Sequence, residues 1–348
     1  MTYQNKYIAL LNELKNRTTE DSMHPNSRVL VVDGMNTFIR AYAASPVVDD
    51  NGRHVGGISG TLLSIGHAIK SINPTRVVVV FDGKNGSAKR RQMFADYKSN
   101  RKVKIRLNRA DTVDQEDNQL EQLMRLIEYF DVLPFKTLVF DGTEADDVIA
   151  YVAKDIYSKP DSQVYIMSSD KDFYQLVDEK TFVWSPTKKK LYFQEDVYDE
   201  FGILPQNFPI YRALLGDKSD NIGGVDGIGD KTVKSRLGIL AEKRVVELPE
   251  LIEFVKSKQG EAKIYEKLLN QQDIIDRNLK LMQLSDSNLN LPIKLRIMEI
   301  LDSPIDKTGK LLFHKMLIED RMTTAIKNVD IWLKETTTKL DLYALQTQ

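Results

Sequence analysis

The chain has 348 residues, 42% of them hydrophobic, no cysteine and a net charge of −1. A buried core is therefore expected, with one large α/β domain or two smaller units. Disulfides and thiolate metal sites are excluded, and a cytosolic location is the simple expectation. The longest strongly apolar run, Val77 to Phe81, is far too short to cross a membrane, and no secretory signal pattern opens the chain.

Residues 1 to 27 read as an amphipathic helical appendage, with a helix near Ile8 to Leu14 and a polar connector around Pro25. A β-branched strand over Arg28 to Val32 ends at Asp33, and apolar spacing predicts a helix over 59 to 72. A second buried strand, Arg76 to Phe81, ends at Asp82. A basic stretch follows, at about 84 to 112, with Lys84, Lys89, Arg90, Arg91, Lys98, Arg101, Lys102, Lys104, Arg106 and Arg109 against Asp96 alone. Leu120, Leu123, Met124 and Ile127 mark the inner face of a helix over 117 to 130. A strand over Thr137 to Phe140 turns through Asp141-Gly142 into a helix capped by Thr143. Gln163 to Met167 is a further strand, ending at Ser168-Ser169-Asp170. Thr181 to Trp184 and Lys190 to Phe193 read as a hairpin turning at Pro186. From Pro205 onward the pattern is helical. Residues 28 to 204 form the α/β core, 205 to 290 a helical region, and 291 to 348 a charged helical tail without a readable motif. Alternating strands and helices predict a mostly parallel central sheet with helices on both faces.

Asp33, Asp82 and Asp170 each follow a strand, where parallel α/β sheets gather their functional groups. Glu144, Asp146 and Asp147 open a helix. Asp172 follows Asp170 by two residues, and Asp217 and Asp220 are three apart at a helix end. Each motif alone is an ordinary cap or turn. Together, at positions an α/β fold can converge, they form a site of like charges that needs cations. Oxygen ligands without histidine or cysteine select Mg²⁺ or Mn²⁺, and two such ions can clamp a phosphodiester. Gly223 to Thr232 reads as a hairpin between two helices. Gly227 and Gly229 would allow positive φ and close backbone approach there, with Lys231 and Lys234 adding charge for a phosphate. Its carbonyls are a candidate site for one K⁺.

The series Val31-Val32-Asp33-Gly34 with Asn36, Phe81-Asp82-Gly83, Tyr97-Lys98-Ser99-Asn100-Arg101, Glu144-Ala145-Asp146-Asp147, Ser169-Asp170-Lys171-Asp172 and Gly216-Asp217-Lys218-Ser219-Asp220-Asn221, running into Gly227-Ile228-Gly229, resembles the flap endonuclease and 5′–3′ exonuclease superfamily, in particular its phage and bacterial branch. The motifs stand in the family order over about residues 28 to 240. The resemblance implies a PIN-like 5′-nuclease fold with a helical arch and a helix-hairpin-helix region. It places Asp33, Asp82, Glu144, Asp146 and Asp147 around a first Mg²⁺ and Asp170, Asp172, Asp217 and Asp220 around a second, with Asp146 near both.

On the same resemblance, Lys98 and Arg101 approach the scissile phosphate and offset developing charge. Lys89, Arg90, Arg91 and Tyr97 belong to the arch that takes the 5′ end, with Tyr97 stacking on a base. The hairpin at Gly227, Gly229, Lys231 and Lys234 grips duplex backbone, so recognition is by shape. The implied substrates are branched, flapped or nicked DNA and RNA/DNA, in a monomer working in a bacterial cytoplasm, phage-encoded by one reading. The tail could bind a polymerase, a clamp or a single-strand-binding protein, and the sequence offers no basis to choose among them. Phe38 and Tyr42, after the first motif, are expected in the core. A phosphatase reading fails because the second acid after Asp33 is missing, and a Toprim site would want glutamate in place of Asp33. The remaining rivals are a catalytically silent DNA-binding subunit with the same fold and an RNase acting on other substrates.

Overall fold

The computed structural model describes residues 24–100, 115–284 and 289–344. The expected helix near Ile8 to Leu14 and the residue Arg101 lie outside these. Six strands form the central sheet in the order β3-β2-β1-β4-β5-β6: β1 Arg28–Asp33, β2 Arg76–Asp82, β3 Phe135–Phe140, β4 Gln163–Met167, β5 Thr181–Ser185 and β6 Lys190–Tyr192. All neighbours run parallel except β5 and β6, the expected hairpin. Runs such as Val77-Val78-Val79-Val80 are β-branched throughout because both faces of a parallel sheet are covered. Val29, Val31, Val78 and Val80 point into one core, and Leu30, Val32, Val77 and Val79 into the other.

The chain reverses its direction of winding between β1 and β4. The helices α1 (Gly34–Ala44), α2 (Gly56–Ile72) and α4 (Gln115–Asp131) join the first three strands on one face, after the short α3 (Ala88–Met93). The helix α5 (Ala145–Tyr151), the π-helical turn Val152–Ile156 and the 3₁₀ turn Lys171–Leu176 cover the other. A crevice therefore opens at the carboxyl ends of β1 and β4, the switch point where such sheets bind their ligands.

The inner face of α4 is only half the expected one: Leu123 and Ile127 pack against the core. Leu120 and Met124 are exposed, while Asn118 and Gln122 are buried. The reason is a polar network: Gln122 Oε1 accepts from Gly57 N at 2.8 Å, its Nε2 donates to His54 O at 2.7 Å, and Tyr42 Oη donates to Asn118 Oδ1 at 3.1 Å. Phe38 and Tyr42 are core residues, as expected.

Beyond the sheet come α6 (Gln194–Phe201), α7 (Phe208–Leu215), a two-stranded ribbon of β7 (Gly216–Asp217) and β8 (Ile222–Gly223), α8 (Asp230–Arg236), α9 (Leu248–Ser257), α10 (Lys263–Asn270) and α11 (Gln272–Met282). Asp217 and Asp220 thus sit on and beside a ribbon turn rather than at the helix end expected of them. Gly216 makes the turn possible: its φ is +72°, and a Cβ there would lie 2.4 Å from Gly224 N. In the following hairpin Gly227 has φ +81°, but Gly229 is extended at φ −137° and serves as the N-cap of α8.

The last helices fold back onto both cores: α12 (Leu291–Asp302) adds Ile297 and Leu301 to the core that holds Val29 and Val31, while α13 (Lys310–Glu319) and α14 (Val329–Tyr343) join the core that holds Leu30 and Val32. Phe313, Met316, Trp332 and Leu333 are buried among residues of α2 and α4, and Trp332 lies where a side chain on Gly66 would clash. Among the described residues no helix is long and apolar enough to cross a membrane.

Candidate active site

Four acids face the crevice, each placed by a strand end or helix start. Asp33 ends β1 and caps α1, its Oδ1 accepting from Asn36 N at 3.0 Å and its Oδ2 from Ser168 Oγ at 2.8 Å. Asp82 ends β2, and its Oδ1 accepts from Ala145 N at 2.9 Å. Asp82, rather than Thr143, therefore serves the first turn of α5, whose N-cap is Glu144 with no side-chain cap bond. Only glycine can follow Asp82, because a Cβ on Gly83 would lie 1.8 Å from Phe140 O. Asp146 projects from the first turn of α5. Asp170 caps the 3₁₀ turn after β4, accepting from Asp172 N at 2.9 Å. These four line a cavity of about 850 Å³ together with Asp217, Lys98, Lys171 and Arg212.

The carboxylates crowd one another. Burial, joined by the charges of Asp82 and Asp170, pushes Asp33 up to about 7. Burial and the neighbouring Asp172 push Asp170 up to about 7. Burial holds Asp146 well above the usual carboxylate range, against the pull of Lys98 and with Asp170, Asp33 and Asp82 adding to the rise. An acid whose folded value is raised binds a proton that the unfolded chain, near 3.8, has already released. Stability then falls as pH rises through the interval between those values. The metal-free protein is expected to melt at a higher temperature at pH 5.5 than at pH 8, with saturating Mg²⁺ narrowing the difference. Thermal melts in EDTA check this, and a melting temperature that rises from pH 5.5 to 8 would contradict it.

A second group gathers around Arg212 of α7. Its Nε donates to Asp172 Oδ1 and its Nη2 to Asp217 Oδ2, both at 2.6 Å. Despite burial, Arg212 and Ser219 hold Asp217 below the usual carboxylate range. Burial raises Asp172, against the pull of Arg212. Asp220 is buried beside this group, and of Asp172, Asp217 and Asp220 only Asp217 lines the cavity. Sequence reading missed Arg212; its one signal is a lone charge in the otherwise apolar helix Phe208–Leu215.

Glu144 and Asp147, read with Asp146 as one motif, point elsewhere. Arg90 donates from Nη1 and Nη2 to the two oxygens of Asp147, at 2.9 and 3.0 Å, and from Nη1 to Glu144. Lys98 Nζ and Tyr97 Oη also donate to Glu144. Burial opposes ionisation of Glu144, but Lys98 and Arg90 hold it below the usual range. Neither acid lines the cavity. Arg90 and Tyr97 do not stand on the surface expected of them. Both are buried, at 4% and 3% exposure, so neither meets nucleic acid as they stand. Two buried carboxylates demand a cation, and Arg90 satisfies them from the first turn of a basic helix. Lys89 and Arg91, beside it, are exposed. Lys231 and Lys234 lie on α8, where Lys234 pairs with Asp230 at 3.3 Å.

The acids that line the cavity offer oxygen ligands only, a donor type that fits Mg²⁺ or Mn²⁺. Among the described residues no three acidic or histidine side chains stand together at ligand distance.

The sheet order, the switch-point crevice and the helices around it make this a PIN-like nuclease fold. Residues 28–202 match the family described as the 5′-3′ exonuclease, N-terminal resolvase-like domain, and the chain belongs to that family. It is 35% identical over 203 residues to a 5′-3′ exonuclease of Aquifex aeolicus, covering 58% of this chain and 66% of that one. It is 32% identical over 216 residues to a 5′-3′ exonuclease of Bacillus subtilis, covering 60% and 68%. It is also 37% identical over 227 residues to a thermostable DNA polymerase I of Thermus filiformis, covering 65% of this chain but 25% of the polymerase. The chain thus spans about two thirds of the exonucleases and a quarter of the polymerase. Among solved structures, a bacteriophage T5 flap endonuclease in complex with DNA and metal ions shares the fold, with a TM-score of 0.59 and 22% identity over 84% of this chain and 97% of that one.

Proposed function

We propose that this protein is a structure-specific 5′-nuclease that hydrolyses phosphodiesters in flapped, branched or nicked DNA, or in RNA paired with DNA, using two divalent ions. The observation that carries the reading is that Asp33, Asp82, Asp146 and Asp170 line one cavity at the carboxyl ends of the strands around the β1/β4 switch point, where burial and one another's charge raise Asp33, Asp146 and Asp170. Family membership supports it, since the relatives are named 5′-3′ exonucleases and polymerases. Asp33, Asp82, Asp146 and Asp170 would hold one ion, and Asp170, Asp172, Asp217 and Asp220 the other, with Glu144 and Asp147 behind them. When bound, such ions activate water and stabilise the leaving oxygen. The chain's own part is positional. Asn36 and Ser168 orient Asp33, and the Asp172 amide orients Asp170. Lys98, on the cavity wall, sets a positive charge beside the phosphate as its charge grows. Lys89 and Arg91 would meet the 5′ strand, and the turn at Gly227 with Lys231 the duplex backbone.

A flapped duplex labelled at the 5′ end, incubated with Mg²⁺, should release short labelled products. Products arising only from the 3′ side would contradict the polarity. Tight flap binding without cleavage in Mg²⁺ or Mn²⁺ would favour a silent binding subunit. Within this reading Lys98→Ala should slow single-turnover cleavage by about 10²-fold, the size of one lost transition-state donor, with flap affinity nearly unchanged. Equal losses in rate and affinity would show that Lys98 only holds backbone.

A further inference from the structure

We propose that Asn221 is a positioning residue for Lys98, clasping the loop at residues 96–99 to the turn that carries Asp217 and Asp220. The inference rests on the nuclease reading for what Lys98 does, and on geometry for how it is held. Asn221 Nδ2 donates to Asp96 O and to Ser99 Oγ, each at 3.0 Å. Those two acceptors lie on either side of Lys98. Between them Lys98 N donates to Asp220 O at 2.9 Å, and just beyond them Asn100 Nδ2 donates to Lys218 O at 3.3 Å. Beneath the clasp Tyr97, Ile222, Leu281 and Met282 close a small apolar cluster against Phe94.

Lys98 has φ +58°, in the left-handed region, and Asn221 has φ +60°. Asparagine enters that region readily; for lysine it is an uncommon and sterically costly conformation. Such an outlier persists only where its surroundings over-determine it. Here the amide of Asn221 holds both flanks of Lys98 while Asp220 O takes its N–H. The consequence is directional. With the loop so held, the Lys98 side chain is 10% exposed, its ammonium against Glu144 and on the wall of the acid-lined cavity. One small turn thus carries two of the candidate metal ligands and also aims the candidate phosphate-neutralising cation.

Asn221→Gly keeps the left-handed turn and removes the two donors. Two readouts test the idea on the full chain. The first needs no catalysis: acetylation of lysines in the metal-free protein, followed by mass spectrometry. Lys98 should label several-fold faster in Asn221→Gly than in wild type, while the exposed Lys307 labels at the same rate in both. Ser99→Ala, which removes one acceptor at the surface, should give a smaller rise in the same direction and decides the matter if the glycine variant does not fold. Unchanged Lys98 labelling in the folded variants would overturn the proposal. The second is a double-mutant cycle in single-turnover flap cleavage. Asn221→Gly alone should slow cleavage by about tenfold, as expected for a lost pair of hydrogen bonds, and should cost nothing further in a Lys98→Ala background. Losses that multiply would show that Asn221 acts independently of Lys98, as a merely structural residue would. Absence of cleavage by the wild type would sink the nuclease reading, and the labelling result would still decide the clasp.

Discussion

Replacing Arg90 with alanine is expected to destabilise the protein by about 3–5 kcal/mol, the usual cost of removing one partner from a buried ion pair. The side chains of Glu144 and Asp147 are only 2% and 5% exposed, so they would be left in the interior with their charge poorly matched. Arg90 also donates from Nε to Leu281 O at 2.9 Å, so its loss would loosen α3 from α11. Arg91, the next residue, is exposed. Arg91→Ala should therefore change stability by less than about 0.5 kcal/mol. Urea denaturation of the two variants side by side makes the comparison. Equal destabilisation, or none for Arg90→Ala, would contradict the buried assignment.

Asp146→Asn is expected to do two opposite things. It should abolish metal-dependent cleavage and raise the stability of the metal-free protein. Asp146 is pressed well above the usual carboxylate range by burial and by Asp170, Asp33 and Asp82. Burial and the neighbouring acids oppose a charge at this position in the folded wild type; the amide removes that charge and keeps the shape. The gain should be larger at pH 8 than at pH 5.5, where Asp33 and Asp170, raised to about 7, take up protons and relieve the site. Added Mg²⁺ should then stabilise the wild type more than the variant, because a ligand stabilises the state that binds it. An unchanged or lower melting temperature for Asp146→Asn in EDTA at pH 8 would contradict this.

The strand ends were the legible part of the site. Val31-Val32-Asp33, Phe81-Asp82 and Met167 to Asp170 each show an apolar run stopping at an acid, and a parallel sheet brings such stops to one edge. The basic stretch was less legible. Arg90 and Arg91 look alike in sequence, and only the fold shows one facing two buried carboxylates and the other facing solvent. Tyr97 misled for the same reason: an aromatic among cations suggests base stacking, whereas its hydroxyl meets Glu144 inside the protein. Periodicity placed Leu123 and Ile127 of α4 against the core but not Leu120 and Met124, because Asn118 and Gln122 are buried by hydrogen bonds that no apolar pattern encodes. Arg212 and the packing of α13 and α14 depend on contacts between segments far apart in the chain. Trp332 against Gly66 is such a contact.

The central claim is that the acids at the β1/β4 switch point cut phosphodiesters with bound divalent ions. It is tested most directly by cleavage of a 5′-flap duplex by the wild type and by Asp170→Ala, across a Mg²⁺ titration. The expected result is a rate that rises with Mg²⁺ in the wild type, falls to background in EDTA, and stays near background in Asp170→Ala at every Mg²⁺ concentration while flap binding persists. Cleavage by Asp170→Ala at the wild-type rate, or wild-type cleavage undiminished by EDTA, would place the chemistry elsewhere in the molecule.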